Sequence, residues 1–255
     1  MKIFKFIASL LLIIVILSLM IWAMVKEKDQ ICTGISVQIH ALGEPKLITK
    51  SDILAILKQN QVKWEETKMR EIDLAFVHKI LAKENYIKEV DKVHFSGSKL
   101  QIEITLHNIL LEVESKDGRK ILLDDQGIIL PYSPKVKNDV ITAKGFIPNN
   151  FQKKETITPA HKELYELFYV ASLIKADQEY ESWFNKMEIT DKQEITLYSP
   201  FGKIPVLFGT AQDAENKLKA LKFMYSDVLP YMEDGKYTQM DVRFKNRIVA
   251  TKSKS

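Results

Sequence analysis

A chain of 255 residues that is 46% hydrophobic and 27% charged holds enough apolar content for one or two packed domains and too much for a disordered segment. Its formal net charge is only +4, and a nucleic-acid binder needs a concentrated basic face, so composition argues against that class. A single cysteine excludes an internal disulfide, and the 9 glycines form no glycine-rich phosphate loop.

The first element predicted is a membrane span. Phe6 to Val25 contains no charge, no Gly and no Pro. As a helix it covers about 30 Å, the thickness of a bilayer core. Lys2 and Lys5 precede it, and the charges of "KEKDQ" (Lys26 to Gln30) cancel, so residues 1–5 are expected in the cytoplasm and the bulk of the chain outside it. The alternative is a cleaved signal peptide. Its apolar core is usually about 7–15 residues with a small-x-small exit. This run is longer, and "MIWAMV" offers only Ala23 as a small residue, which favours an uncleaved anchor. "DQI" before Cys32 is no lipobox, and Cys32 itself reads as an incidental thiol. Of the 37 Lys and Arg, 35 lie beyond residue 25 with all 33 acids, so the external part is nearly neutral.

The first external unit, residues 33–107, opens with a strand in "ISVQIH" (Ile35, Val37, Ile39). Ser51 is the expected cap of a helix carrying Ile53, Leu54 and Leu57, and Asp73 of one carrying Leu74, Val77, Ile80 and Leu81. "DKVHF" and "KLQIEITL" follow as strands. In the second, Leu100, Ile102, Ile104 and Leu106 alternate with polar residues, and "SGS" (Ser96 to Ser98) turns between the two. The order is β-α-α-β-β, a helix pair on one face of a three-stranded sheet.

The second unit, residues 108–252, begins with "ILLEVESKDGRKILLDDQGIILP", a β-meander with turns at Asp117-Gly118 and Gln126-Gly127. A helix capped by Thr158, with Pro159 at its first position, is expected to bury Leu164, Leu167, Phe168, Ala171 and Ile174. Strands resume in "KMEIT", "EITLYSP" and "KIPVLFG". A helix from Gln212 to Leu229 places Ala214, Leu218, Leu221, Tyr225 and Val228 on one face and Lys217, Lys219 and Lys222 on the other, and Pro230 ends it. The chain closes on "YTQMDVRFKNRIVATK", where Met240, Val242 and Phe244 alternate with Asp241, Arg243 and Lys245 as in a strand. The fold class is α+β: the β-α-α-β-β unit, then a mixed α/β domain with a curved, antiparallel-rich sheet.

No chemistry stands out. His40, His78, His94, His107 and His161 have no metal-ligand spacing. Asp124 and Asp125 are adjacent on a strand end, point to opposite faces and read as a turn pair. "FSGSK" lacks the nucleophile-elbow pattern. Trp64, in "QVKWEETK", is either an exposed contact or folded back on the core. No catalytic residue, metal, cofactor or small-molecule substrate is predicted, and the residue types suit a scaffold for other proteins.

The order of these pieces resembles the bacterial cell-division family FtsQ/DivIB. "LQIEITL" resembles the last strand of its POTRA domain, and "LLDDQGIILP" (Leu122 to Pro131) the D-x-x-G-x-x-x-P segment that opens its β-domain. "FGKIPVLFGTAQDAENKLKAL" resembles its strand-Gly-helix, and "YTQMDVRFKNRIV" its terminal Y…D-[LVM]-R-[YF] strand. The spacing around Asp124 looks closest to members from the Bacteroidetes. One departure is "LHNIL" (Leu106 to Leu110), where many relatives carry Glu-x-x-Pro. The resemblance implies a non-enzymatic protein of the cell inner membrane at the division septum, its bulk periplasmic. It would bind FtsB-like and FtsL-like proteins and help regulate septal peptidoglycan synthesis. The terminal strand, where it forms the sheet's border, is expected to dock the partner through Met240, Asp241, Val242, Arg243, Phe244, Lys245, Asn246 and Arg247, the alternative being an internal strand whose charged face is merely wet. The resemblance favours docking, because Phe244 stands where the family carries an aromatic that contacts FtsB, beside the motif positions Asp241 and Arg243. The alternative from another class is a transport adaptor of the LptC-like kind. That almost pure β-jellyroll has no place for the helical stripes at Leu74–Leu81 and Leu164–Ile174.

Overall fold

The computed structural model describes residues 11–20, 29–42, 47–136, 140–148, 154–200, 204–228, 237–244 and 247–252. α1 (residues 11–20) is helical and exposed throughout. The rest of the expected span at 6–25, with Lys2 and Lys5, lies outside the described residues. Among the described residues no helix is long and apolar enough to cross a membrane. The chain divides into two compact units, one of Met1–Ala41 with Ile48–Leu106, the other of Leu42–Leu47 with His107–Ser255.

In the first unit β1 (Gly34–His40) is followed by α2 (Lys50–Gln59), a 3-10 turn (Met69–Glu71), α3 (Leu74–Leu81), β2 (Ile87–Ser96) and β3 (Lys99–Leu106). The sheet order is β1-β3-β2, with β1 parallel and β2 antiparallel to β3. α2 starts earlier than Ser51. Thr49 is its cap, because Asp52 three residues on completes a capping box: the Thr49 amide donates to Asp52 Oδ2 at 2.8 Å and the Asp52 amide to Thr49 Oγ1 at 3.4 Å. Asp73 caps α3, its Oδ1 accepting from the Phe76 amide at 2.9 Å. Ile53, Leu57, Val77, Leu81, Leu100, Ile102 and Ile104 are sealed between helices and sheet. Each such side chain is worth about 1.5–3 kcal/mol of burial. Trp64 folds onto this core and is only 6% exposed.

The second unit is a nine-stranded sheet in the order β12-β11-β10-β9-β8-β7-β4-β5-β6. Its strands are β4 (Ile109–Ser115), β5 (Lys120–Asp124), β6 (Ile129–Pro131), β7 (Ile141–Gly145), β8 (Lys186–Ile189), β9 (Ile195–Tyr198), β10 (Val206–Gly209), β11 (Tyr237–Asp241) and β12 (Val249–Lys252). Antiparallel neighbours predominate, and β4–β7, β7–β8 and β10–β11 are parallel. β7 carries too short an alternation to be read in advance, yet it is an interior strand. Gly145 lets it approach β8, since a Cβ there would stand 2.1 Å from the Ile189 carbonyl oxygen.

Helices α4 (Lys162–Lys175), α5 (Gln178–Trp183) and α6 (Ala214–Phe223) supply the rest of this core. α4 begins at Lys162 with His161 as its cap. Thr158 and Pro159 instead open a turn closed by the His161 amide on the Thr158 carbonyl at 2.8 Å, where proline suits the second position. Leu164, Leu167, Ala171 and Ile174 are fully buried, and Phe168 is packed at the core's rim. α6 starts at Ala214, not Gln212, and runs on into a π-helical turn, Met224–Val228, where Tyr225 stacks on Trp183 at 5.0 Å. Away from the helices the sheet is charged. Across β5, β4, β7 and β8, Lys120, Glu114, Lys144 and Glu188 stand in alternating sign, with Lys144 3.0 Å from Glu114.

The closing stretch is two strands. β11 ends at Asp241, and β12 returns antiparallel to it, with Asp241 opposite Val249 and Met240 opposite Ala250. The expected single strand running past Phe244 is therefore corrected. The Asp241 side chain takes the Arg243 amide at 3.0 Å, a local turn that competes with the ladder.

Candidate functional site

β11 is held from both sides. The Met240 amide donates to the Pro205 carbonyl and the Val242 amide to Leu207, each at 3.0 Å, and β12 pairs along the other flank. Met240 (0% exposed) and Val242 (3%) point into the core beside Phe208, Leu218 and Leu221. These two residues anchor the strand from within.

Asp241 and Arg243 form a clamp. Asp241 is 8% exposed, and its carboxylate accepts from Arg243 Nε at 3.0 Å and from the terminal guanidinium nitrogen at 2.7 Å. The other arm of the guanidinium reaches Glu194, in the β8–β9 turn, at 3.0 and 3.1 Å. The hydrogen bonds from Arg243 hold the Asp241 carboxyl below the ordinary carboxylate range, and those same bonds push the guanidinium further up. Gly209, at φ +75°, makes room for the Arg243 stem: a Cβ there would lie 2.9 Å from Cγ. Lys217 closes the neighbouring strand end, its Nζ donating to the Phe208 and Thr210 carbonyls at 2.9 Å each. Burial lowers the pKa of this lysine.

Beyond the clamp the surface opens. A cleft of about 250 Å³ lies between α6 and the segment after β11, lined by Asn216, Lys217, Ala220, Phe244 and Arg247. Phe244 is 47% exposed, with the Arg247 guanidinium 5.7 Å from its ring centre. Lys245 and Asn246 lie outside the described residues. β12 is the outermost strand, with Val249 43% exposed. The sequence reading placed no separate strand here. Its signal was present in "KNR" (Lys245 to Arg247), a polar break containing a turn-forming asparagine.

Two polar groups named in the sequence, but not as a pair, come together elsewhere in this unit. His107 and Asp124 meet at 2.7 Å, the histidine side chain 6% exposed and the carboxylate 0%. Asp124 Oδ1 also takes the amides of Gln126 and Ile128, so it is a buried fastening of the β5–β6 turn and more than a turn residue. Asp125 bonds instead to Asn108. Among the described residues no three His, Cys, Asp or Glu side chains gather as a metal site would require.

Comparison with known families agrees with this layout. The model of the POTRA-like domain matches residues 30–105, and the one described as FtsQ/DivIB, C-terminal related, matches residues 110–251. No curated protein sequence matches the chain. The C-terminal match reaches all nine strands of the second sheet, short only of Ile109 and Lys252, and covers more than half of the 255 residues, and the chain belongs to the FtsQ/DivIB family of cell-division proteins.

Proposed function

We propose that this chain is a scaffold of the division machinery that takes an FtsB-like partner, accompanied by an FtsL-like one, as an added strand on β12. Through that contact it helps regulate septal peptidoglycan synthesis. In this reading one span at residues 6–25 holds it in the plasma membrane at the septum, with residues 1–5 cytoplasmic. A POTRA domain (33–107) and the β-domain (108–252) then lie outside. Members of this family are non-enzymatic scaffolds that work through protein–protein contacts.

The observation that carries the reading is that β12 is the terminal strand of the sheet. An exposed edge offers a row of free N–H and C=O groups, and strand addition is a common way to use it. Phe244, Arg247 and Val249 flank that edge as exposed apolar and cationic contacts. Met240 and Val242 contribute by fixing β11 beneath it, and the Asp241–Arg243 clamp by setting where the strand ends.

The test is binding of the detergent-solubilised full chain to an FtsB-like partner, compared with the same chain lacking residues 249–255. Loss of binding with the thermal melt retained is expected. A folded, truncated chain that binds as tightly as the intact one places docking elsewhere. For topology, a reporter active only in the cytoplasm should be silent when fused after Ser255.

A further inference from the structure

The three-stranded sheet of the first unit has two borders, and only one is guarded. β2 carries Lys88, Glu89, Asp91 and Lys92, all exposed, and its register shifts twice, between Ile87 and Glu89 and between Val90 and Lys92. Charges and bulges are the usual means of keeping an edge from pairing. β1, at the opposite border, reads GISVQIH. It has no Lys, Arg, Asp, Glu or Pro, and it stays in unbroken register with β3 from Gly34 to His40.

The direction of its backbone groups follows from the register and from the turn that opens β3. Ser96 and Lys99 bracket the two-residue Gly97-Ser98 turn as a hydrogen-bonded pair, so Lys99 turns its N–H and C=O groups to β2 and Leu100 turns its own to β1. With Ile35 opposite Leu100, the groups of Gly34, Ser36, Gln38 and His40 point to β3, and those of Ile35, Val37 and Ile39 point away from it. Among the described residues no strand meets them.

We propose that β1 pairs antiparallel with β1 of a second copy of this chain, with Val37 on the two-fold axis. In this register Ser36 of one copy stands opposite Gln38 of the other, and Gly34 opposite His40. Their backbone groups bond to β3, so these are the non-hydrogen-bonded pairs of the new ladder. Val37 meets its own copy in the hydrogen-bonded position, with Cα atoms about 5.5 Å apart, and the two exchange both backbone hydrogen bonds. Ile35 faces Ile39, so the half-buried apolar side of the strand continues across the border, and the exposed side brings together uncharged Ser36 and Gln38. The strand is thus its own complement in polarity about Val37, which is why a second copy fits it. The contact is isologous and closes on itself. The guarded β2 becomes both outer edges of the doubled sheet, which stops growth at the dimer. The surface is separate from the β12 edge, so the two proposals stand or fall independently.

The test uses the purified full chain in detergent. Val37→Cys, made with Cys32→Ser and again with the buried Cys32 retained, should form a disulfide-linked dimer on mild oxidation, whereas Glu89→Cys on β2 should not. In the Val37→Cys chain, S36K with Q38K sets like charges directly opposite and should cut the cross-linked fraction about ten-fold. S36E with Q38K sets opposite charges in the same places and should restore it. Both side chains are exposed, so circular dichroism should match the unaltered chain. Sedimentation of the unaltered chain should show the same dimer. The proposal is overturned by a monomer at every concentration, by S36E/Q38K cross-linking no better than S36K/Q38K, or by Val37→Cys in membranes cross-linking to a different protein.

Discussion

At one border of the nine-stranded sheet, β6 is three residues long and ends in Pro131, which has no N–H to offer. Residues 154–157 come back over it: the Ile129 amide donates to the Glu155 carbonyl, and the Lys154 amide to Ile129, each at 2.8 Å. At the other border β12 also consists of only a few residues, Val249–Lys252, yet among the described residues no strand lies beyond it. The difference lies in what covers each border. After β7 the chain returns past β6 before entering α4, whereas among the described residues no segment pairs along the outer side of β12. An edge is usable where nothing covers it.

The comparison can be broken most forcefully from inside. Met240→Ala removes a wholly buried side chain under β12 and should cost on the order of 2–5 kcal/mol in chemical denaturation, taking partner binding with it. A loss under 1 kcal/mol would mean that β11 is not the anchor of that border. Phe244→Ala should leave the melt unchanged and weaken partner binding by about 2 kcal/mol if the exposed ring is an interface anchor. Titration calorimetry with the full chain separates these two outcomes.

Gly209→Ala strains a left-handed residue and pushes on the Arg243 stem, so a destabilisation of more than about 0.4–1 kcal/mol is expected in thermal melts. Asp241→Asn should act through pH. The carboxyl is held below its ordinary value in the folded chain, so its contribution is fully present above about pH 4 and is lost as pH falls through the lower folded value. The unaltered chain should therefore lose stability in that acid window, and the Asn variant, weaker at neutral pH, should show a flatter profile there. An identical acid profile would assign the dependence to other groups. The smallest effect sharpens the contrast directly. In hydrogen exchange the amides of Ile129, Lys154 and Ile157 should be protected in the free chain, while outward amides of β12 gain protection only when partner is added.

Much of the architecture was legible because it rests on neighbours in sequence. The alternation of Leu100, Ile102, Ile104 and Leu106 requires a half-buried strand, and Asp73 followed by a 3.6-residue stripe requires a capped helix. The turn at Gly97 was equally local, since only glycine takes its positive φ without strain. The Asp241-x-Arg243 pair was visible as a motif. Its partner Glu194 was not, because 49 residues separate them and only the adjacency of β10 to β9 brings the β8–β9 turn within reach. His107 and Asp124 pair across 17 residues for the same reason, through the β4–β5 hairpin.

What the amino-acid sequence determined by itself is the strongly periodic helices and strands and their amphipathic faces, which follow from periodicity, caps and turn residues acting within a few positions, whereas β7, α5 and the division of the closing stretch into β11 and β12 did not show there. Which strand lies at a border was decided only by tertiary structure. β11 and β12 have similar local chemistry, yet one is enclosed and the other terminal, because hydrogen bonding between strands depends on the sheet order and that order is set by contacts far apart in the chain.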